Sequence, residues 1–150
     1  MAKKTILEGA DFGIAHDGDG DRVIFCNSFG EVIPGDKILG LLALHEQEYK
    51  RLLNNNFVAT IHSNSGLDMS LKQQGIVLHR ADVGDRKVAE MMRNKKSNLG
   101  GESSGHLIAS DFLPTGDGLL TALLVARASY ESGKSIDSLS DKITLWPSVE

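Results

Sequence analysis

Apolar positions fall into short runs that alternate with longer amphipathic stretches. "FGIAH" (12–16) and "RVIFC" (22–26) have the length and composition of strands and flank a polar segment. "NSFG" (27–30) supplies turn residues, and "EVIPGD" leads out of it. From Asp36, "DKILGLLALHEQEYKRLL" puts Ile38, Leu41, Leu42, Tyr49, Leu52 and Leu53 on one broad face. It predicts a long helix capped by Asp36 and broken at "NNN" (54–56). "FVATI" (57–61) is the next strand, and "HSNSG" (62–66) a polar loop. "LDMSLKQQG" is a short helix closed by Gly75, and "IVLHR" (76–80) another strand. "ADVGD" (81–85) is a loop and "RKVAEMMRNKK" (86–96) an amphipathic helix. "NLGGESSGHLIASD" (98–111) reads as a glycine-rich hairpin. "TGDG" (115–118) opens the helix "LLTALLVARASYESG", and Ser135 caps a last turn or two. "WPSVE" is a frayed end.

This alternation predicts an α/β fold, helices layered on a mixed sheet. The chain has 150 residues, enough for one domain with a fragment of another. A boundary falls at "PGD" (34–36). The residues before it carry two strands and little else, too few to fold alone, and are expected to be the remnant of a preceding domain.

Composition narrows the function classes. At 41% hydrophobic and 24% charged the chain can bury a core, and a net charge of −4 argues against nucleic-acid binding through bulk positive charge. No apolar run is long enough to span a bilayer, and no apolar stretch follows the basic start as a signal peptide requires. The single cysteine, Cys26, lies in an apolar run, so it reads as a core thiol in a reducing compartment. The cytoplasm is the expected location.

The densest chemistry is "DGDGDR" (17–22). Asp17, Asp19 and Asp21 alternate with glycines, and carboxylates this close repel unless something positive sits among them. An EF-hand fails on spacing, because Arg22 stands where glycine is needed and Ser28 where glutamate is needed. A magnesium site facing a phosphate suits the set better than a solvated acidic turn. Arg22 either pairs with a carboxylate or grips a phosphate.

"GGESSGH" (100–106) is the second constellation. Glu102 and Ser104 offer a carboxylate and a hydroxyl suited to vicinal sugar hydroxyls, among glycines that admit a ligand closely. Its "GESSG" satisfies the bare G-x-S-x-G pattern, but a strand-like "HLIAS" follows where a nucleophile elbow needs a helix. Asp85 lies at a strand-to-helix junction with Arg86, as a ligand group or a cap. "TGDG" is an anion seat or a helix start capped by Asp117, and "HSNSG" a ligand loop or a linker. His16 adjoins the acidic loop; His45 and His79 read as structural.

Taken together and in order, "GIAHDGDGDR", "VGDRKVAEMM", "GGESSGH" and "TGDGLLTAL" resemble the α-D-phosphohexomutase family, on its glucosamine-phosphate branch. The resemblance covers nearly the whole chain. It implies residues 1–35 as the end of family domain 2, with the metal loop, and residues 36–150 as domain 3, a three-layer α/β/α unit with the sugar-recognition loop. It further implies Mg²⁺ on Asp17, Asp19 and Asp21, and Arg22 on the phosphate. Glu102 and Ser104 would bind the sugar's 3- and 4-hydroxyls, with His106 an acid/base or orienting group and Asp85 and Arg86 lining the same cleft. The implied reaction interconverts glucosamine 6-phosphate and glucosamine 1-phosphate through a phosphoserine enzyme and a 1,6-bisphosphate, towards UDP-N-acetylglucosamine. The implied partners are a phosphosugar and the remaining domains of a parent compatible with a homodimer, with neither nucleic acid nor membrane. No Ser-His-Asn phosphoserine motif and no domain-4 phosphate loop occurs here, so this chain alone is expected to be inactive. The alternatives are a phosphomannomutase/phosphoglucomutase fragment or a catalytically silent Mg/phosphosugar-binding module.

Overall fold

The alternating runs assemble into two sheets. The computed structural model describes residues 1–147. Helix α1 (Ala2–Glu8) precedes an antiparallel sheet of β1 (Phe12–His16), β2 (Val23–Asn27) and β3 (Val32–Ile33), paired in that order. Helix α2 (Gly35–Glu48) leads to β4 (Asn56–Thr60), α3 (Ser65–Gln73), β5 (Val77–Ala81), α4 (Asp85–Lys95), β6 (Leu99–Gly101) and β7 (Leu107–Ala109). Helices α5 (Gly118–Ser132) and α6 (Ile136–Ser140) follow. The second sheet has the order β5-β4-β6-β7, with β4 parallel to both neighbours and β7 antiparallel to β6. It is the expected mixed sheet.

Strand alternation builds the three layers. Phe57 and Ala59 point to the side covered by Leu42 of α2, Leu67 and Leu71 of α3, and Val125 of α5. Val58, Ala81 and Ile108 point to the other side, against Val88 and Met92 of α4. Phe57 and Leu42 are fully buried, and each such side chain contributes about 2 kcal/mol of hydrophobic stabilisation. Cys26 is fully buried beside the Thr5 hydroxyl, as its apolar setting implies. Among the described residues no helix is long and apolar enough to cross a membrane.

Several expectations are corrected. The residues before Pro34 hold a third strand and α1, which ends at Gly9 in the left-handed region. Asp36 is not the cap of α2. Pro34 holds that position, and the Asp36 carboxylate instead accepts the Asn64 N–H at 3.0 Å. Helix α2 also stops at Glu48, because Lys50 turns left-handed and the Arg51 N–H bonds back to the Glu46 carbonyl at 2.7 Å. Tyr49 and Leu53 are therefore exposed, while Leu52 is buried by the loop.

Arg51 goes on to join a polar cluster on the α2–α5 side. The Glu46 carboxylate accepts from Arg51 Nε at 3.0 Å and from Arg127 Nη2, beside His45, and Arg51 Nη2 also reaches Glu131 at 2.7 Å. Burial pushes the Glu46 carboxyl up, but its bonds to His45, Arg51 and Arg127 win and bring it down to about 2.

Candidate functional site

The β1–β2 hairpin carries the acidic loop at its tip. Alternation with glycine brings one oxygen each of Asp17, Asp19 and Asp21 within 4.8 Å of one another. Two backbone bonds shape the loop. The Arg22 N–H donates to Asp17 Oδ1 at 3.3 Å, and the Gly118 N–H at the start of α5 donates to the Gly20 carbonyl at 2.9 Å. Partial desolvation, together with the charges of Asp19 and Asp17, pushes the Asp21 carboxyl above its ordinary value. Desolvation acts on Asp17 too, but the Arg22 N–H and the hydrogen bond with Asp21 hold its carboxyl below the ordinary value.

Three carboxylates, one of which has an oxygen (Asp21 Oδ1) buried without a hydrogen-bond partner among the described residues, fit a small divalent cation such as Mg²⁺. The Arg22 guanidinium stands off at 3.8 Å from both Asp17 Oδ2 and Asp21 Oδ1, with about half its side chain exposed. That is too long for a direct hydrogen bond and leaves its fork open to an anion.

The second loop is the turn of the β6–β7 hairpin. The Glu102 N–H donates to the His106 carbonyl at 2.8 Å, and the Gly105 N–H to the Glu102 carbonyl at 3.1 Å. Gly105 has φ +98°, and a Cβ there would lie 2.4 Å from the Val23 carbonyl oxygen, so the close approach to β2 requires glycine. This approach joins the two constellations. The Val23 N–H donates to the Gly105 carbonyl at 3.2 Å, and Arg22 and His106 form an isolated antiparallel bridge. Strand β2 is thus extended by the loop that follows β6.

The side chains of this second loop divide among three places. Ser104 faces a cleft of about 240 Å³ shared with His16, Asp17 and Arg22. Glu102 Oε1 accepts the Gly84 N–H at 2.8 Å, tying the loop to the "VGD" segment. His106 is buried, with Nε2 3.8 Å from Asp21 Oδ2 and its ring packed against Gly116. Its side chain thus lies against the acidic loop with only 3% of the residue exposed. Asp85 only accepts its neighbour's amide, from Arg86 at 2.7 Å, and both side chains are exposed. Among the described residues neither is hydrogen-bonded to the acidic loop or to the "GGESSGH" turn.

"TGDG" is a capped start rather than an anion seat. Asp117 Oδ1 accepts the Leu120 N–H at 2.6 Å, and the Gly118 N–H is used by Gly20. "GESSG" lies between two strands, β6 and β7, and so is no nucleophile elbow. The sequence alone did not reveal the Glu102–Gly84 tie or the packing of Gly116 and Gly118 on the loops. Two glycines around Asp117 were the only available signal.

A model of the family "Phosphoglucomutase/phosphomannomutase, alpha/beta/alpha domain III" matches residues 34–145. The chain belongs to this family. It is 51% identical over 139 residues to the phosphoglucosamine mutase of Maricaulis maris, covering 93% of this chain and 31% of that protein. Its fold matches the crystal structure of a putative phosphomannomutase from Thermus thermophilus, at TM-score 0.85 and 25% identity, over 94% of this chain and 32% of that one. It also matches, at TM-score 0.74 and 16% identity, Aspergillus fumigatus N-acetylphosphoglucosamine mutase solved in complex with GlcNAc-6P and magnesium. That match covers 91% of this chain and 36% of the other. The chain spans about a third of the length of the curated relatives it matches.

Proposed function

We propose that the chain is the metal- and sugar-binding part of a phosphoglucosamine mutase, an isomerase that interconverts glucosamine 6-phosphate and glucosamine 1-phosphate. The observation that carries this reading is the pairing of Arg22 with His106, which sets a three-carboxylate loop beside the Glu102/Ser104 turn. Residues 1–35 then correspond to the end of family domain 2 and residues 36–150 to domain 3. The single buried thiol of Cys26 supports a cytoplasmic setting.

Asp17, Asp19 and Asp21 would hold Mg²⁺, which when bound neutralises charge on a phosphoryl group facing the loop. Arg22 offers its half-exposed guanidinium to the oxygens of that phosphoryl group. His106, buried against Gly116, keeps the Asp21 carboxylate oriented. Glu102, its Oε1 anchored on Gly84, presents its remaining acceptor capacity to a sugar hydroxyl, and the Ser104 hydroxyl donates or accepts from the cleft it shares with Asp17 and Arg22. A serine elsewhere in the parent protein passes its phosphoryl group to the 1-hydroxyl of glucosamine 6-phosphate. The resulting 1,6-bisphosphate turns round and returns its 6-phosphate to the serine, leaving glucosamine 1-phosphate. Asp85 and Arg86, at the start of α4, would contact the part of the substrate beyond the hydroxyls, as the family resemblance implies.

The test is an assay of the 150-residue chain with Mg²⁺, glucosamine 6-phosphate and a catalytic bisphosphate, alongside NMR titration of the Glu102 and Ser104 amides. The expected result is binding at those amides without turnover. Turnover would place the phosphoacceptor within this chain, and Ser65, Ser103 and Ser104 would be examined first. Silence of both amides towards every hexose phosphate would overturn the sugar-binding reading.

A further inference from the structure

The four-stranded sheet reverses its winding between β4 and β6, and in open α/β sheets ligands gather outside the carboxyl ends of the strands at such a point. The "GGESSGH" turn follows β6. The loop after β4 carries polar groups that the reaction above leaves unused. It opens onto a pocket of about 360 Å³ lined by Asp36, His62, Ser63, Asn64 and Trp146.

This pocket is built rather than incidental. The Asn64 N–H donates to Asp36 Oδ2 at 3.0 Å, and the Asn64 side chain clamps Trp146 by two bonds, Nδ2 to the Trp146 carbonyl at 2.8 Å and the Trp146 N–H to Oδ1 at 2.9 Å. Arg80 Nη1 fixes the loop through the Ser63 carbonyl at 2.7 Å. Yet two side-chain atoms of its lining residues, Asp36 Oδ1 and Ser63 Oγ, are buried without hydrogen-bond partners among the described residues, on residues only 8% and 4% exposed. Native structures seldom leave such atoms unsatisfied. A carboxylate oxygen can only accept, so the missing partner is a donor, and a cationic donor gains charge as well. The pocket also abuts the sugar loop. Gly35, immediately before Asp36, lies so close to Ser103 that a Cβ would stand 1.9 Å from its carbonyl oxygen.

We propose that Asp36 and Ser63 form the subsite that takes the amino group of an amino-hexose phosphate whose ring hydroxyls are held at Glu102 and Ser104. This assignment rests on the hexose-phosphate reading of the neighbouring loop. An ammonium group offers three N–H donors and a positive charge to the two vacant acceptors. A neutral hexose offers one hydroxyl in its place, so the pair discriminates amino sugars from plain ones.

Trp146 is the one tryptophan of the chain and lines the pocket, so its fluorescence reports on it. The experiment titrates the full chain with glucosamine, glucosamine 6-phosphate and glucose 6-phosphate, reading Trp146 emission and the amide shifts of Ser63, Asn64, Glu102 and Ser104. Both amino sugars are expected to perturb Trp146 and the Ser63 and Asn64 amides saturably. Glucose 6-phosphate is expected to shift Glu102 and Ser104 and leave the pocket unmoved. Asp36→Asn is expected to weaken glucosamine 6-phosphate about tenfold without altering glucose 6-phosphate, as loss of a charge-assisted bond implies. Ser63→Ala disturbs no side-chain hydrogen bond among the described residues, and it is expected to weaken the amino sugar in the same direction.

Hexose phosphates that shift Glu102 and Ser104 while Ser63, Asn64 and Trp146 stay silent would overturn the subsite and leave the mutase reading standing. A response to glucosamine at Ser63 and Asn64 without any at Glu102 would uphold the subsite and overturn the sugar-loop reading. Silence at all four amides would overturn both. Equal affinity for the amino and plain sugar, or variants that weaken the two alike, would also overturn the subsite.

Discussion

Glu102 follows β6 and Gly84 caps α4 in the connection after β5, the two strands flanking β4, and the Glu102 carboxylate accepts the Gly84 amide hydrogen at 2.8 Å. One side chain therefore ties the sugar-loop candidate to the segment that starts α4. Glu102→Ala removes the acceptor, and hydrogen exchange at Gly84 is expected to quicken by about tenfold, whereas Glu102→Gln keeps an acceptor and most of the protection. Unchanged exchange in Glu102→Ala would show that the tie does not form in solution.

The acidic loop makes a prediction about cation binding. The Asp19 side chain makes no hydrogen bond or ion pair among the described residues, so removing its charge costs the fold nothing. Calorimetry on the chain is expected to show Mg²⁺ binding weaker than micromolar, since no facing phosphate completes the shell. Asp19→Asn should weaken it by at least about tenfold with a melting temperature within about 1 °C of the parent. Undiminished affinity in the variant would exclude Asp19 from the ligand set.

Gly116 and Gly118 are fixed by what surrounds them. A Cβ at 116 would lie 2.1 Å from His106 Nε2, and one at 118 would lie 2.6 Å from His16 Nδ1 and 2.7 Å from the Arg22 carbonyl oxygen. Alanine at either position must push a site loop aside, with an expected stability loss of about 1–3 kcal/mol. Gly118→Ala is also expected to weaken Mg²⁺, because its Cβ would stand 2.8 Å from the Gly20 carbonyl oxygen and push it off the residue-118 N–H. Denaturant melts and calorimetry on the two variants check both effects.

Acid stability depends on Glu46. Its folded carboxyl titrates at about 2, below the ordinary glutamate value near 4.5, so its contribution is complete above the higher value and fades as pH falls towards the lower. The contribution is at most about 3 kcal/mol. Glu46→Gln is therefore expected to destabilise the chain at pH 7, with the difference shrinking by about pH 3. Denaturant melts at the two pH values read the sign directly, and a gap that widens in acid would contradict it.

Much of this was legible because strand and helix periods are local. Phe12–His16 is marked by its own residues, and Ser135 as a cap needs only the residues after it. Asp117 reads equally as a cap or as part of an anion seat until the fold commits the Gly118 N–H to Gly20. Helix α1 escaped because seven residues hold too few turns for a periodic signal, and its burial comes from packing on β1 and β2. Asp36 reads as a cap from the sequence because a helix start attracts aspartate for two reasons, and only the fold shows Asn64 arriving from another loop. In the site, "DGDGDR" stood out by charge density. The burial of His106 could not be read from the sequence, since Gly116 is brought onto its ring by α5 rather than by any neighbour along the chain.

The bridge between Arg22 and His106, with the Val23–Gly105 hydrogen bond beside it, makes the acidic loop and the "GGESSGH" turn parts of one continuous ribbon. Their spacing is thereby a fixed length of the fold, like the span of a caliper set once. In the proposed reaction both ends of the sugar must meet the same phosphoryl position. With the caliper locked, that exchange falls to the ligand, which must leave the ribbon's grip and re-enter it reversed.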